Sequence, residues 1–150
     1  MIRAENQFEL TFPAKSENEG FARQCVAMFL SRLDPTVGEL ADLRTAVSEA
    51  VTNCVVHAYK GMEEGKVYIN VRIFENRRVV IRIKDTGCGM ADPEKCKTPL
   101  YSTDQSGERG GMGFTIMQTF MTEFSVTSEE GKGTKVRMSK KIGAKDAADA

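Results

Sequence analysis

The sequence is poor in the residues from which metal centres and disulfide scaffolds are built. One histidine, His57, and four cysteines, Cys25, Cys54, Cys88 and Cys96, stand among 150 residues, and no two cysteines form a CxxC pair. That spacing argues against a zinc site, and the thiols read as reduced cysteines of a cytosolic protein. No apolar run approaches the ~20 residues that cross a bilayer. Met1-Ile2-Arg3-Ala4-Glu5-Asn6 leads into no apolar core segment, so no signal peptide is expected and the protein is read as cytoplasmic. An excess of one charge is missing too, because 21 Lys and Arg balance 21 Asp and Glu. Direct nucleic-acid binding, which relies on neutralising phosphates, is therefore disfavoured as the main activity.

What is present suits one α/β domain over residues 1–142, followed by a small, polar tail over 143–150 that is expected to fray. Phe8, Leu10 and Phe12 alternate with polar residues and predict a strand over about 7–13. Ser16 and Glu19 have the spacing of a capping box, before a helix whose apolar stripe reads Phe21, Cys25, Met28, Phe29 and Leu33. Asp34-Pro35 stops it. Thr36 and Glu39 repeat the box and open a second helix to about Tyr59, with Leu40, Leu43, Val47, Ala50, Val51, Cys54 and Ala58 on its core face. Glu49 and Asn53 lie one turn apart on that helix, roughly opposite the stripe, and are expected to be presented together away from the sheet.

Val67, Ile69, Val71 and Ile73 predict a second strand, and Val79, Ile81 and Ile83 a third. Asp85 continues the inward register of that third strand. A carboxylate at the end of an apolar face costs free energy unless something bonds to it, which marks Asp85 as a ligand contact. Residues 90–108 lack a period, and a connection that long is usually a lid or binding loop. Gly110, Gly111 and Gly113 open a third helix carrying Met112, Ile116, Met117 and Phe120. A closing hairpin turns around Glu130-Gly131-Lys132-Gly133.

Glycines ahead of a helix let bare amides approach phosphate oxygens. Gly110-Gly111-Met112-Gly113 fits that use, although a flexible connector would read the same, and no Gly-Lys-Ser/Thr follows as in a P-loop. Gly87 and Gly89 follow a strand without the third glycine of a dinucleotide-binding turn. Glu49 can accept a proton, Asn53 can offer magnesium a carbonyl oxygen, and Arg109 can pair with a terminal phosphate. On a helix surface a Glu–Asn pair is more often merely solvated. His57, one turn beyond Asn53, reads as a structural hydrogen-bonding residue.

Taken together, three segments resemble the motifs of the anti-sigma factor serine kinases, the sporulation members most closely. Glu49-Ala50-Val51-Thr52-Asn53, continuing to His57-Ala58-Tyr59, resembles their N-box. Asp85-Thr86-Gly87-Cys88-Gly89-Met90 is similar to the first glycine box, and Gly107 through Met117 to the second. Cys88 and Gly111 stand at places where relatives vary. The resemblance implies the ATPase fold shared with DNA gyrase and histidine kinases, a two-layer sandwich of about three helices on a mixed, mostly antiparallel sheet. It implies ATP and Mg2+ as cofactors, Glu49 as catalytic base and Asn53 as the metal ligand. Asp85 would accept the adenine amino group, with Gly87, Gly89 and Thr134 around the adenine. Gly110, Gly111 and Gly113 would line the phosphates, Arg109 would sense the terminal one, and the segment 99–103 would be a lid. It further implies homodimers that phosphorylate a serine on an anti-anti-sigma protein and sequester a sigma factor, with Arg23 on the first helix a candidate partner contact. The other reading is a nucleotide-gated module that captures a sigma factor with little turnover.

Overall fold

Alternation of apolar and polar residues builds a sheet with one dry face. The computed structural model describes residues 3–58, 65–87 and 121–143. In these, β1 (Asn6–Pro13), β2 (Lys66–Phe74), β3 (Arg78–Asp85), β4 (Glu123–Glu129) and β5 (Gly133–Lys141) form one sheet in the order β1-β2-β3-β5-β4. All four pairings are antiparallel, so the described sheet lacks the parallel component of the expected mixed one. The register aligns Leu10, Ile69, Ile83 and Val136 across four strands, and these side chains point to the same side. The turn after β2 holds Asn76 at φ 60° and Arg77 at φ 63°, the left-handed pair that suits the twist of a tight hairpin.

Two α-helices lie over that face, α1 (Glu19–Leu30) and α2 (Val37–Asn53). The third helix, expected over about 112–120, lies outside the described residues. Thr36 caps α2 as its spacing with Glu39 predicts. The Glu39 amide donates to Thr36 Oγ1 at 3.0 Å, and the Thr36 amide donates to Glu39 Oε1 at 2.8 Å. The α-helical ladder ends at Asn53, and Cys54–Ala58 continue as a wider π-turn.

Two local expectations for α1 fail, both for tertiary reasons. Ser16 opens a short 3-10 turn with no side-chain cap, and Glu19 instead accepts from the Ser48 hydroxyl of α2 and pairs with Arg23 at 3.6 Å. The buried face of α1 is Ala22, Val26, Ala27 and Leu30, while Phe21 and Met28 are 60% and 77% exposed. Small residues let α1 sit close to its neighbours, and the large apolar groups turn outward. The core joins this face to Leu43, Val47, Ala50 and Val51 of α2 and to the inner rows of the strands.

Beyond β5, the Gly143 amide donates to both oxygens of Glu39 at 3.2 Å, anchoring the chain to the start of α2. Among the described residues no helix is long and apolar enough to cross a membrane.

Candidate nucleotide site

The end of α2, the end of β3 and the start of β5 meet at Asp85. Its place in the inward register carries it into the interior, where it is 5% exposed. Three donors hold the carboxylate. The amides of Gly87 and Thr134 donate to Oδ1 at 3.0 Å and 3.2 Å, and the Cys54 thiol donates to Oδ2 at 3.5 Å. Burial pushes the carboxyl above the ordinary aspartate range, and these three donors oppose that rise without cancelling it. Burial also drives the Cys54 thiol well above its ordinary value, with the Asp85 charge and hydrogen bond adding to the effect. Cys54 is therefore a neutral donor here.

Gly133 makes the approach of β5 possible. It sits at φ +116°, and a Cβ there would lie 2.2 Å from the Asp85 carbonyl oxygen and 2.8 Å from Thr86 Cα. Thr134, directly across the ladder from Asp85, is fixed in turn by a 2.9 Å contact between its hydroxyl and that of Ser128. Asp85, Gly87 and Thr134, which the family resemblance assigns to one adenine site, form one hydrogen-bonded group.

Cys54 ties this group to the last α-helical residue, Asn53. Both polar atoms of the Asn53 amide are sealed from solvent with no hydrogen-bond partner among the described residues. An unpartnered buried amide costs about 1–3 kcal/mol, so it calls for a ligand. Its carbonyl is a hard oxygen donor of the type Mg2+ prefers, and magnesium commonly needs few protein ligands beside phosphates. The donor present therefore fits that ion. Among the described residues no group of three His, Cys, Asp or Glu side chains could hold a metal.

One turn earlier Glu49 is buried at 7% exposure, not presented to solvent as the helical wheel suggests. The reason is that α2 has two packed sides. The sheet covers its apolar stripe, and α1 covers the side carrying Ser48 and Glu49. Between the helices lies a cleft of about 580 Å3, lined by Arg23 and Gln24 from α1 and by Arg44, Ser48 and Glu49 from α2, among others. Arg23 and Glu49 therefore share one cleft. Arg109, Gly89, Gly110, Gly111, Gly113 and the 99–103 segment lie outside the described residues.

Three contributors were missed in the sequence. Gly133 was read only as a turn glycine. Cys54 was read as core, because its apolar neighbours at helical spacing hide its contact with Asp85. Arg44 had no pattern around it, yet it lines the cleft with a buried Nε that has no partner among the described residues.

Comparison with known proteins bears on the family and the fold. The model of the histidine kinase-like ATPase domain matches residues 12–140. The anti-sigma F factor of Caldanaerobacter subterraneus subsp. tengcongensis is 53% identical, over 92% of this chain and 95% of that protein. The anti-sigma F factor of Clostridium botulinum strain Eklund 17B is 50% identical, over 92% of this chain and 96% of that one. In fold the chain is similar to the RsbU and RsbW domains of Rv1364c from Mycobacterium tuberculosis, with a TM-score of 0.67 at 16% identity. That match covers 91% of this chain and only 32% of the other. The histidine kinase domain from the Erythrobacter litoralis blue-light activated kinase gives a TM-score of 0.57 at 20% identity, covering 83% of this chain and 61% of that one.

Proposed function

The chain belongs to the histidine kinase-like ATPase family and, within it, to the anti-sigma F factors, and from that membership we propose an ATP-dependent serine protein kinase that phosphorylates an anti-anti-sigma protein and sequesters a sigma factor. The observation that carries the catalytic part is a buried carboxylate, Glu49, one turn from a buried amide without a partner among the described residues, Asn53, beside the group around Asp85.

In this reading Asp85 accepts a hydrogen bond from the adenine amino group, its carboxylate held in place by Gly87, Thr134 and Cys54. The Asn53 carbonyl oxygen would hold Mg2+, which when bound neutralises charge on the phosphates. Gly110, Gly111 and Gly113 line the phosphates, Gly89 shapes the adenine pocket, and Arg109 pairs with the terminal phosphoryl group. The substrate serine enters from the cleft between α1 and α2, where Arg23 stands to contact the partner and Glu49 accepts the hydroxyl proton as the oxygen attacks. Positioning and electrostatics do most of the work in such a transfer. A homodimer, as the family resemblance implies, is the proposed assembly.

Glu49→Ala is expected to slow phosphate transfer by roughly 10²–10⁴-fold while ATP still binds. The assay is purified protein with γ-labelled ATP, magnesium and an anti-anti-sigma protein, followed by phosphosite mapping. Label on a serine in the native chain and its loss in the variant are the expected results. Stable capture of a sigma factor with no label on any serine would replace the kinase by the nucleotide-gated module.

A further inference from the structure

Two different parts of the fold hold the Asp85 carboxylate, and each takes its own oxygen. Oδ1 accepts from the amides of Gly87, just past β3, and of Thr134 in β5, so backbone at the end of the sheet occupies it. Oδ2 accepts from the helical layer, through the Cys54 thiol at 3.5 Å. A carboxylate oxygen offers about two acceptor positions. Two amides therefore fill Oδ1, whereas one thiol leaves Oδ2 a position open. Among the described residues no further donor reaches Oδ2. Oδ2 is the oxygen with which Asp85 meets a ligand, and Cys54 is the group that fixes its direction.

The thiol is itself held in place by its backbone. The Cys54 amide donates to the carbonyls of both Ala50 and Val51, at the step where the α-helical ladder of α2 gives way to the π-turn Cys54–Ala58. The side chain is 4% exposed, within the same core cluster as Val51, Val67 and Ile83. For packing alone a small apolar residue would serve there, since a buried cysteine behaves as one. What an apolar residue cannot supply is the proton shared with Oδ2. Without it the carboxylate is tethered through Oδ1 only and is free to turn about its Cβ–Cγ bond.

We propose that Cys54 is a positioning residue that sets how strongly the nucleotide site selects a base bearing an exocyclic amino group. The inference rests on the reading in which Asp85 accepts from that group. With one oxygen tied to the sheet and the other to the end of α2, the carboxylate presents a fixed acceptor before the nucleotide arrives. An amino group satisfies the open position of Oδ2. A base with hydrogen in its place leaves a buried carboxylate oxygen short of a donor, and sites built to receive an N–H reject such analogues strongly. A carboxylate free to turn is less exacting. The preference therefore depends on the thiol, which acts through Asp85.

The probes are ATP and purine riboside triphosphate, which differs by lacking the amino group, each titrated calorimetrically with magnesium into the full chain. Native protein is compared with Cys54→Ala, Cys54→Val and Cys54→Ser. Each preference is a ratio of two affinities within one variant, so damage felt equally by both nucleotides cancels, and either donor-free variant that folds suffices. The native chain is expected to prefer ATP. Cys54→Ala and Cys54→Val should narrow that preference roughly three- to tenfold, by weakening ATP and not the analogue. Cys54→Ser, which restores a donor, should keep the native ratio. Equal weakening of both nucleotides in the donor-free variants overturns the inference, as does a serine variant no more selective than alanine. Cys54 is then core packing, and the adenine reading stands. A native chain that binds both nucleotides equally overturns that reading at Asp85, and the inference with it.

Discussion

Alanine at Gly133 and at Gly131 separates backbone strain from close approach within one hairpin. Both glycines have left-handed φ values, +116° and +81°, but a Cβ at Gly131 meets nothing within 4 Å, whereas one at Gly133 lies 2.2 Å from the Asp85 carbonyl oxygen. An L-residue in left-handed backbone costs roughly 1–2 kcal/mol, which both substitutions incur. Overpacking adds about 1–3 kcal/mol, and only Gly133→Ala incurs it, because the atoms it meets are backbone and cannot swing aside. Gly133→Ala should therefore cost about 2–5 kcal/mol, a large share of the roughly 5–15 kcal/mol that keeps a domain folded. Urea unfolding of the two variants measures the difference. Nucleotide titration adds a second readout, since moving β5 separates the Thr134 amide from Asp85 Oδ1. ATP binding is expected to weaken in Gly133→Ala and to hold in Gly131→Ala. Equal losses of stability in both variants, with ATP binding intact in both, would refute the claim that Gly133 is where strand and site are fitted together.

Asp85 and Asn53 give two further outcomes. Because burial raises the Asp85 pKa in the folded state, its contribution to stability is full below the ordinary aspartate pKa and is lost as pH rises through the raised folded value. Asp85→Asn cannot ionise, so at pH 7 it should melt above the native chain. Thermal scans across pH should show that gap closing under acid conditions, and ATP binding should be lost throughout. Asn53→Ala removes a buried amide with no partner among the described residues, so calorimetry should find the ligand-free domain no less stable than the native one and up to about 1–3 kcal/mol more stable. Magnesium-dependent ATP binding should disappear.

The sequence exposed those features whose causes are local. Thr36 and Glu39 form their box because both partners lie within one turn, and the strands alternate because one sheet face is dry. Asp85 is marked by its register and by the glycine box it opens, and the structure places it with Gly87 and Thr134. What sequence spacing concealed depended on contacts distant along the chain. Ser16 and Glu19 have the same spacing as Thr36 and Glu39, yet Ser48, 29 residues away from Glu19, takes that carboxylate. Glu49 looked solvated because a helical wheel shows one apolar stripe and cannot show that α1 covers a second side. On the first helix size does not track burial, because Ala22 and Ala27 are buried while Phe21 and Met28 are exposed.

The central claim is that the end of α2 and the Asp85 group grip opposite ends of one nucleotide. A crystal structure of the chain with ATP and magnesium measures this directly. The account predicts the adenine amino group against Asp85 and the Asn53 carbonyl oxygen about 2.0–2.1 Å from the ion. A nucleotide bound elsewhere, or an ion held with Asn53 out of reach, would contradict it.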